Sequence, residues 1–171
     1  IRACALLKAR GLSPRCVIIG EGPDKEKLRS LIRDLRLEGE VELPGAFSND
    51  QVVKSYMRPQ NILVAPSIYA KDGERDGIPT VLLEAMVSRL AVISTTVSGI
   101  PELISDGENG LLVPERDEYA LADAIEELLR DADLRERLQK EGHERVLRDF
   151  GLENSAHRVW SLIRSEVERS S

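Results

Sequence analysis

Short runs of apolar and often β-branched residues alternate along the chain with longer segments in which apolar residues recur at helical spacing. The short runs are predicted as strands at residues 16–19, 41–43, 62–65, 91–94 and 111–113. Strands that alternate with amphipathic helices are typical of βαβ units, in which helices cover a parallel sheet. The pattern therefore predicts an α/β fold with a parallel sheet flanked by helices.

The segments between the strands are predicted as helices at residues 25–35, 50–57 and 80–88, followed by a helical tail from Asp117 to the end. The chain also opens with helical spacing over residues 1–8, whereas a doubly wound domain normally opens with a strand. The first strand is therefore expected to be missing. Because no repeat or flexible linker divides the sequence, residues 1–171 are expected to form a single domain.

Charge and composition exclude several classes of partner. The 24 Lys and Arg residues are interleaved with 30 Asp and Glu residues, and the net charge of −6 argues against nucleic-acid binding. No apolar run approaches the roughly 18–20 residues that span a bilayer, and no signal peptide is recognisable, so a cytoplasmic location is predicted. Cys4 and Cys16 are expected to be reduced, packed thiols. His143 and His157 lack ligand partners at helical spacing, so surface or packing roles are predicted for them.

The segment Gly20-Glu21-Gly22-Pro23 follows a predicted strand and precedes a helix, so its backbone could approach an anionic ligand. A dinucleotide fingerprint would have a third glycine where Lys25 stands, which argues against a conventional NAD site. Two interpretations stay open: a tight turn with Pro23 near the start of the helix, or a site for another kind of nucleotide.

The stretch from Asp72 to Met86 is the richest in candidate chemistry. Gly77 and Ile78 precede a predicted helix, where unpaired amides favour an anion. Asp76 lies before this helix and Glu84 lies within it. Because a carboxylate accepts hydrogen bonds from two hydroxyls, these two acids suit the vicinal diols of a ribose and a hexose. The alternative is that Asp76 caps the helix and Glu84 is a solvated side chain.

The segment from Asp76-Gly77-Ile78-Pro79 to Glu84-Ala85-Met86 resembles the part of group 1 (family 4) glycosyltransferases in which two Glu residues, separated by seven others, flank a helix start. Asp76 stands in place of the first Glu. Further segments resemble successive blocks of the family in the family's order: Gly20-Glu21-Gly22-Pro23, Val41-Glu42-Leu43-Pro44-Gly45, Val64-Ala65-Pro66-Ser67, Ser94-Thr95, Ser98-Gly99-Ile100-Pro101-Glu102 and Asp106-Gly107-Glu108-Asn109-Gly110. The resemblance covers essentially the whole chain.

The resemblance implies the GT-B fold, in which two Rossmann-like domains face a cleft, and the chain looks like the C-terminal, donor-binding domain. Asp76 and Glu84 would be the catalytic acids, Asp76 on hydroxyls of the transferred sugar and Glu84 on the ribose. The other implied donor-binding residues are Gly20, Gly22, Leu43, Pro44, Gly45, Ser67, Gly77, Ile78 and Thr80. Gly99, Pro101 and Glu102 are expected to shape a neighbouring loop.

Members of this family are retaining transferases, so the resemblance implies transfer from a UDP- or GDP-sugar to a glycan or lipid-linked acceptor in polysaccharide biosynthesis. No metal or other cofactor is expected, because helix amides and positive side chains stabilise the leaving diphosphate. The family's diphosphate-binding Arg and Lys and its acceptor-binding domain have no counterpart in this sequence. The chain alone is therefore expected to be inactive.

Two other functional classes stay open at this point. A sugar-nucleotide epimerase or a phosphorylase of the same fold fits the sequence blocks less well. A nucleotide-sugar-binding or scaffold domain that has lost catalysis is the second alternative, and the apparent lack of a first strand favours it.

Overall fold

The computed structural model describes residues 1–69 and 77–151. In chain order its elements are α1 (Arg2–Ala9), β1 (Cys16–Ile19), α2 (Lys25–Asp34), β2 (Val41–Gly45), α3 (Asn49–Ser55), β3 (Ile62–Ala65), α4 (Thr80–Val87), β4 (Ala91–Thr95), α5 (Ile100–Leu103), β5 (Leu111–Val113), α6 (Glu118–Arg130) and α7 (Ala132–Asp149). The α/β alternation predicted from the sequence is confirmed.

All five predicted strands are present, with β2 and β4 extended at their carboxyl ends. The helical spacing of the opening residues corresponds to α1, and the predicted tail contains α6 and α7 as far as the structure describes it. The short helix α5 was not predicted, because four residues are too few to show a helical period. Pro101 lies in its first turn, where the missing amide hydrogen has no consequence.

The strands are parallel, as predicted, but they form two sheets rather than one. β1 pairs with β2, and β3, β4 and β5 form a three-stranded sheet with β4 in the centre. Within the described residues, β1 and β3 thus have a paired neighbour on one side only. Their residues are all apolar and all only half-buried, whereas every residue of β4 is buried.

Helices pack on both faces of the three-stranded sheet, because successive side chains of β4 point to opposite sides. Val92 lies in a cluster with Leu82 and Met86 of α4. Ile93 lies in a cluster on the other face with Leu128 of α6. This region therefore has one apolar cluster on each face of its sheet.

Helix α1 packs against the two-stranded sheet and against helix α6. Its Cys4 packs with Val41 of β2, while Leu7 packs with Ala122 of α6. Ion pairs reinforce each contact: Lys8 lies 2.7 Å from Glu40, and the Arg10 guanidinium lies 2.9 Å from a Glu126 carboxylate oxygen. The structure contains both cysteines as free thiols. Across residues 1–69 and 77–151, no helix is both long and apolar enough to cross a membrane.

Candidate functional site

Two loops that are distant in sequence meet at the carboxyl ends of β1 and β2. Ile19 is in register with Gly45, and the Gly20 amide donates a hydrogen bond of 3.0 Å to the Gly45 carbonyl. In parallel sheets, ligands bind outside the carboxyl ends of the strands. The residues predicted to contact the donor at Gly20, Gly22 and residues 43–45 are thus brought together, while their role in binding stays a prediction.

Gly45 is a point of close approach between these loops. Its φ is +98°, in the region that favours glycine, and a Cβ atom there would lie 2.7 Å from Oε1 of Glu21. Lys25 holds the same Glu21 oxygen at 2.7 Å, and this hydrogen bond lowers the pKa of Glu21. The Glu21–Lys25 pair therefore lies where the two loops meet, with Glu21 against Gly45. It places one negative and one positive charge there.

The second part of the site is the start of α4. Pro79 is the residue before the helix, with φ −59° and ψ 124°, and its carbonyl accepts a hydrogen bond from the Leu82 amide. Gly77 is exposed and Thr80 is the first helical residue. The amides of a first helical turn have no partner within the helix, so this end can receive an anionic or hydroxyl-rich ligand.

The residues that lead into α4 pack closely against the start of α5. A Cβ atom on Gly99, the residue before α5, would lie 3.3 Å from Cγ1 of Ile78. Arg145 of α7 donates a hydrogen bond of 3.0 Å to the Glu102 carbonyl on the same short helix. These contacts are consistent with the structural role predicted for Gly99 and Glu102.

Buried hydroxyls hold the chain where it leaves β3. Thr95 Oγ1 donates a 2.6 Å hydrogen bond to the carbonyl of Ser67, and Ser94 Oγ donates a 2.7 Å bond to the carbonyl of Ala65. Both hydroxyl residues are fully buried, with exposures of 0% and 1%. The Ser67 carbonyl is thus engaged within the protein. In the sequence, this pair was recognised only as one of the segments that resemble the family.

Glu84 lies in the middle of α4 and is half-buried. Its Oε1 accepts a hydrogen bond of 3.5 Å from the amide Nδ2 of Asn49, the first residue of α3. In the part of the chain that the structure describes, Glu84 has no ion-pair partner. Most of the hydrogen-bonding capacity of the carboxylate is therefore left for a ligand.

Asn49 is a site residue that the sequence reasoning missed. It follows Ser48, whose hydroxyl accepts a hydrogen bond from the Gln51 amide in a capping box at the start of α3. The spacing of Ser48 and Gln51 is visible in the sequence and could have located this helix start. The contact with Glu84 joins the side of the site that follows β2 to the side formed by α4.

Two of the predicted residues, Asp76 and His157, lie outside the described residues. Whether Asp76 and Glu84 face one pocket therefore stays open. His143 is described, and its Nδ1 lies 2.9 Å from the Val87 carbonyl, which fits a packing role between α7 and α4. Over residues 1–69 and 77–151, no three His, Cys, Asp or Glu side chains are grouped so that they could hold a metal ion.

Comparison with known proteins identifies the family. The model of the family described as "Glycosyl transferases group 1" matches residues 1–145. The chain belongs to the group 1 glycosyltransferases. This result confirms the resemblance seen in the sequence blocks.

Individual group 1 relatives agree with the assignment. The putative colanic acid biosynthesis glycosyltransferase WcaL of Salmonella typhimurium is 40% identical over 166 residues, which cover 96% of this chain and 41% of WcaL. The amylovoran biosynthesis glycosyltransferase AmsK of Erwinia amylovora is 43% identical over 122 residues, covering 71% of this chain and 30% of AmsK. The chain thus spans about two fifths of the length of WcaL.

A solved structure identifies which part of the group 1 enzymes this chain represents. The C-terminal domain of a group 1 family protein (LpcC) from Francisella tularensis superposes with a TM-score of 0.73 and 29% identity, covering 88% of this chain and 76% of that domain. The chain is therefore the C-terminal portion of a group 1 glycosyltransferase, with the Rossmann-like fold of a GT-B C-terminal domain.

Proposed function

We propose that this chain binds a UDP- or GDP-sugar and forms the donor half of a retaining hexosyltransferase. The observation that carries the proposal is Glu84: a half-buried carboxylate without an ion-pair partner among the described residues, held by the neutral amide of Asn49. A carboxylate in this state can accept hydrogen bonds from both hydroxyls of a ribose.

The remaining parts of the site have matching roles. The loops at Gly20–Gly22 and Leu43–Gly45 meet beside one another and form a wall for the nucleoside. The amides of Gly77, Ile78 and Thr80 bind sugar and phosphate oxygens at the start of α4, where the helix dipole favours negative charge. Ser67 adds a contact at the end of β3. Asp76, outside the described residues, binds hydroxyls of the transferred sugar.

In the transfer reaction, the role of this donor-binding domain is to stabilise the leaving diphosphate. Amides fixed at a helix start stabilise developing negative charge without reorganisation, and this arrangement requires no metal ion. The acceptor, a glycan or a lipid-linked sugar, binds through the remainder of the enzyme. The names of WcaL and AmsK place those relatives in colanic acid and amylovoran biosynthesis, which supports a polysaccharide pathway for this chain.

The first test is calorimetric titration of the chain with UDP, GDP and their glucose and mannose conjugates. We expect saturable binding by the wild type, and Glu84→Ala weakens it by about 1–3 kcal/mol, the scale of a charge-assisted hydrogen bond. The matched control is Glu141→Ala, which removes the same charge from an exposed position on α7. We expect this control to bind like the wild type.

The outcomes separate the elements of the proposal. Absence of binding to every nucleotide and conjugate contradicts a donor site in this chain. Binding that is equally strong in Glu84→Ala contradicts the role of Glu84 but not nucleotide binding itself. In the full-length enzyme, Glu84→Ala is expected to lower kcat/KM by about 10- to 100-fold, on the same energy scale, while Glu141→Ala leaves it unchanged.

A further inference from the structure

Among the described residues, Asn49 is the one side chain that hydrogen-bonds the Glu84 carboxylate. Its Nδ2 lies 3.5 Å from Oε1, a long hydrogen bond that leaves Oε2 without a described partner. An amide donor on one oxygen orients the carboxylate plane and leaves the other oxygen able to accept hydrogen bonds. Oε2 of Glu84 can therefore accept a hydrogen bond from a second donor.

Asn49 is itself held in place by independent contacts. The capping box between Ser48 and Gln51 fixes the first turn of α3, in which Asn49 is the first residue. Val52, one turn further along α3, packs against the cluster that contains Leu82 of α4. Helix α3 thus packs against the same apolar cluster that contains residues of α4, and the Asn49–Glu84 contact joins the two helices directly.

We propose that Asn49 is a positioning residue that orients Glu84 toward the ribose hydroxyls of the donor nucleotide. This inference rests on the proposed function of Glu84 and names a second residue for the same step. Asn49 donates to Oε1, so that the other lone pairs of the carboxylate face the ligand. Ligand binding shortens the 3.5 Å bond, as hydrogen bonds in unliganded sites commonly tighten when the complex forms.

The alternative is that Asn49 only supports the start of α3, and one substitution separates the two roles. In Asn49→Asp, the side chain keeps its size and gains a negative charge, which is favourable in the first turn of a helix. The same charge repels Glu84. A purely structural role therefore predicts unchanged binding, whereas a positioning role predicts weaker binding. In both cases the thermal stability is expected to be unchanged or higher.

The experiment titrates wild type, Asn49→Asp, Asn49→Ala and Gln51→Ala with UDP and GDP and with the 2′,3′-dideoxy forms of both. We expect Asn49→Ala to weaken binding of the parent nucleotide by about 3- to 10-fold, the range of one neutral hydrogen bond, and Asn49→Asp to weaken it by more. Gln51→Ala is the control for helix stability: it removes the side-chain half of the capping box, while the Ser48 hydroxyl still accepts from the backbone amide of residue 51 and keeps the first turn in place.

The dideoxy nucleotides give the deciding readout. Because they lack the hydroxyls that Glu84 binds, we expect the affinities of all four proteins for them to agree within about twofold, the error of comparing single hydrogen-bond effects. We also expect Asn49→Ala to have no further effect when Glu84 is already alanine, since two residues that act together are not additive.

The inference is overturned if Asn49→Asp and Asn49→Ala bind UDP and GDP like the wild type, or if they lose affinity equally for the dideoxy forms. It is also overturned if Gln51→Ala reproduces the loss, because helix stability would then explain it. In each of these cases Glu84→Ala can still weaken binding, and the proposed function stands. If the wild type binds no nucleotide, the proposed function itself fails.

Discussion

The two sheets of this domain are built in different ways. The three-stranded region, with α4, α6 and α7 against β3–β5, has an entirely buried central strand and core clusters on both of its faces. The two-stranded region, β1 and β2 with α2, has one smaller cluster, and none of the four residues of β1 is fully buried. The first region is therefore stabilised by packing on both faces of its sheet, whereas the second has fewer buried residues to stabilise it.

Each region supplies a different part of the candidate site. The three-stranded region provides the helix start and Glu84, which must be positioned accurately and which rest on buried residues such as Leu82 and Met86. The two-stranded region provides the glycine loops, where Gly20 and Gly45 adopt positive φ values. The residues that must be positioned accurately thus lie on the larger core. The loops with the more adaptable backbone lie beside the smaller one.

The largest effect is expected from a matched pair of core substitutions. Leu82 and Leu37 both have 0% exposure, and they lie in the large and the small cluster respectively. We expect Leu82→Ala to lower the free energy of unfolding by about 2–5 kcal/mol and Leu37→Ala by less, because half-exposed neighbours can collapse into the space that is left. Urea denaturation measures both.

The control for this pair is Leu147→Ala, at a side chain that is 55% exposed. We expect it to change stability by less than about 0.5 kcal/mol, as surface substitutions commonly do. If Leu37→Ala lowered the free energy of unfolding as much as Leu82→Ala, the two regions would be equally well packed. That result would contradict the difference in packing between them.

An intermediate effect is expected at Gly45 in the two-stranded region. Gly45→Ala places a side chain at φ +98° and brings a Cβ atom within 2.7 Å of Glu21 Oε1. Backbone strain of this kind costs about 1–3 kcal/mol, while the flexible carboxylate can move aside. Denaturation of Gly45→Ala and of Gly39→Ala tests this prediction, because Gly39 has open space and no positive φ. Equal stability of the two variants would contradict a special backbone requirement at Gly45.

The smallest effect concerns the exposed Glu21–Lys25 pair. The hydrogen bond from Lys25 lowers the pKa of Glu21 in the folded protein. Such a group contributes stability that is present above its unfolded pKa of about 4.3 and is lost as the pH falls through the lower folded pKa. In Lys25→Ala, we expect the pKa of Glu21 to rise toward its ordinary value, which an NMR pH titration measures.

Lys27→Ala serves as the control for this titration. Lys27 pairs with Asp24 at 2.6 Å, and in the described part of the chain it forms no ion pair with Glu21. We expect the Glu21 titration to be unchanged in this variant. A pKa of Glu21 that stays low in Lys25→Ala would mean that the loop backbone, rather than the lysine, holds the carboxylate in its charged form.

Much of the fold could be predicted because its elements are local. The strand of residues 16–19 and the helix of residues 80–88 each carry their period in a few consecutive residues, and both were found at or within one residue of the expected bounds. Helix α5 was not predicted because it consists of a single turn. The candidate site could be predicted where glycines and acids stand together in one stretch, as at Gly77 and Glu84, but Asn49 lies 35 positions from Glu84.

The sequence by itself determined the alternation of strands and helices, the family, and the segments from which the site is built, because these are set by short-range patterns of apolar residues, glycines and acids. Only the tertiary structure decided that the strands divide into two sheets, that Gly20 hydrogen-bonds Gly45, and that Asn49 meets Glu84. The physical reason is that these contacts join segments distant in sequence, and their geometry is fixed by how helices α1, α3 and α4 pack around the sheets.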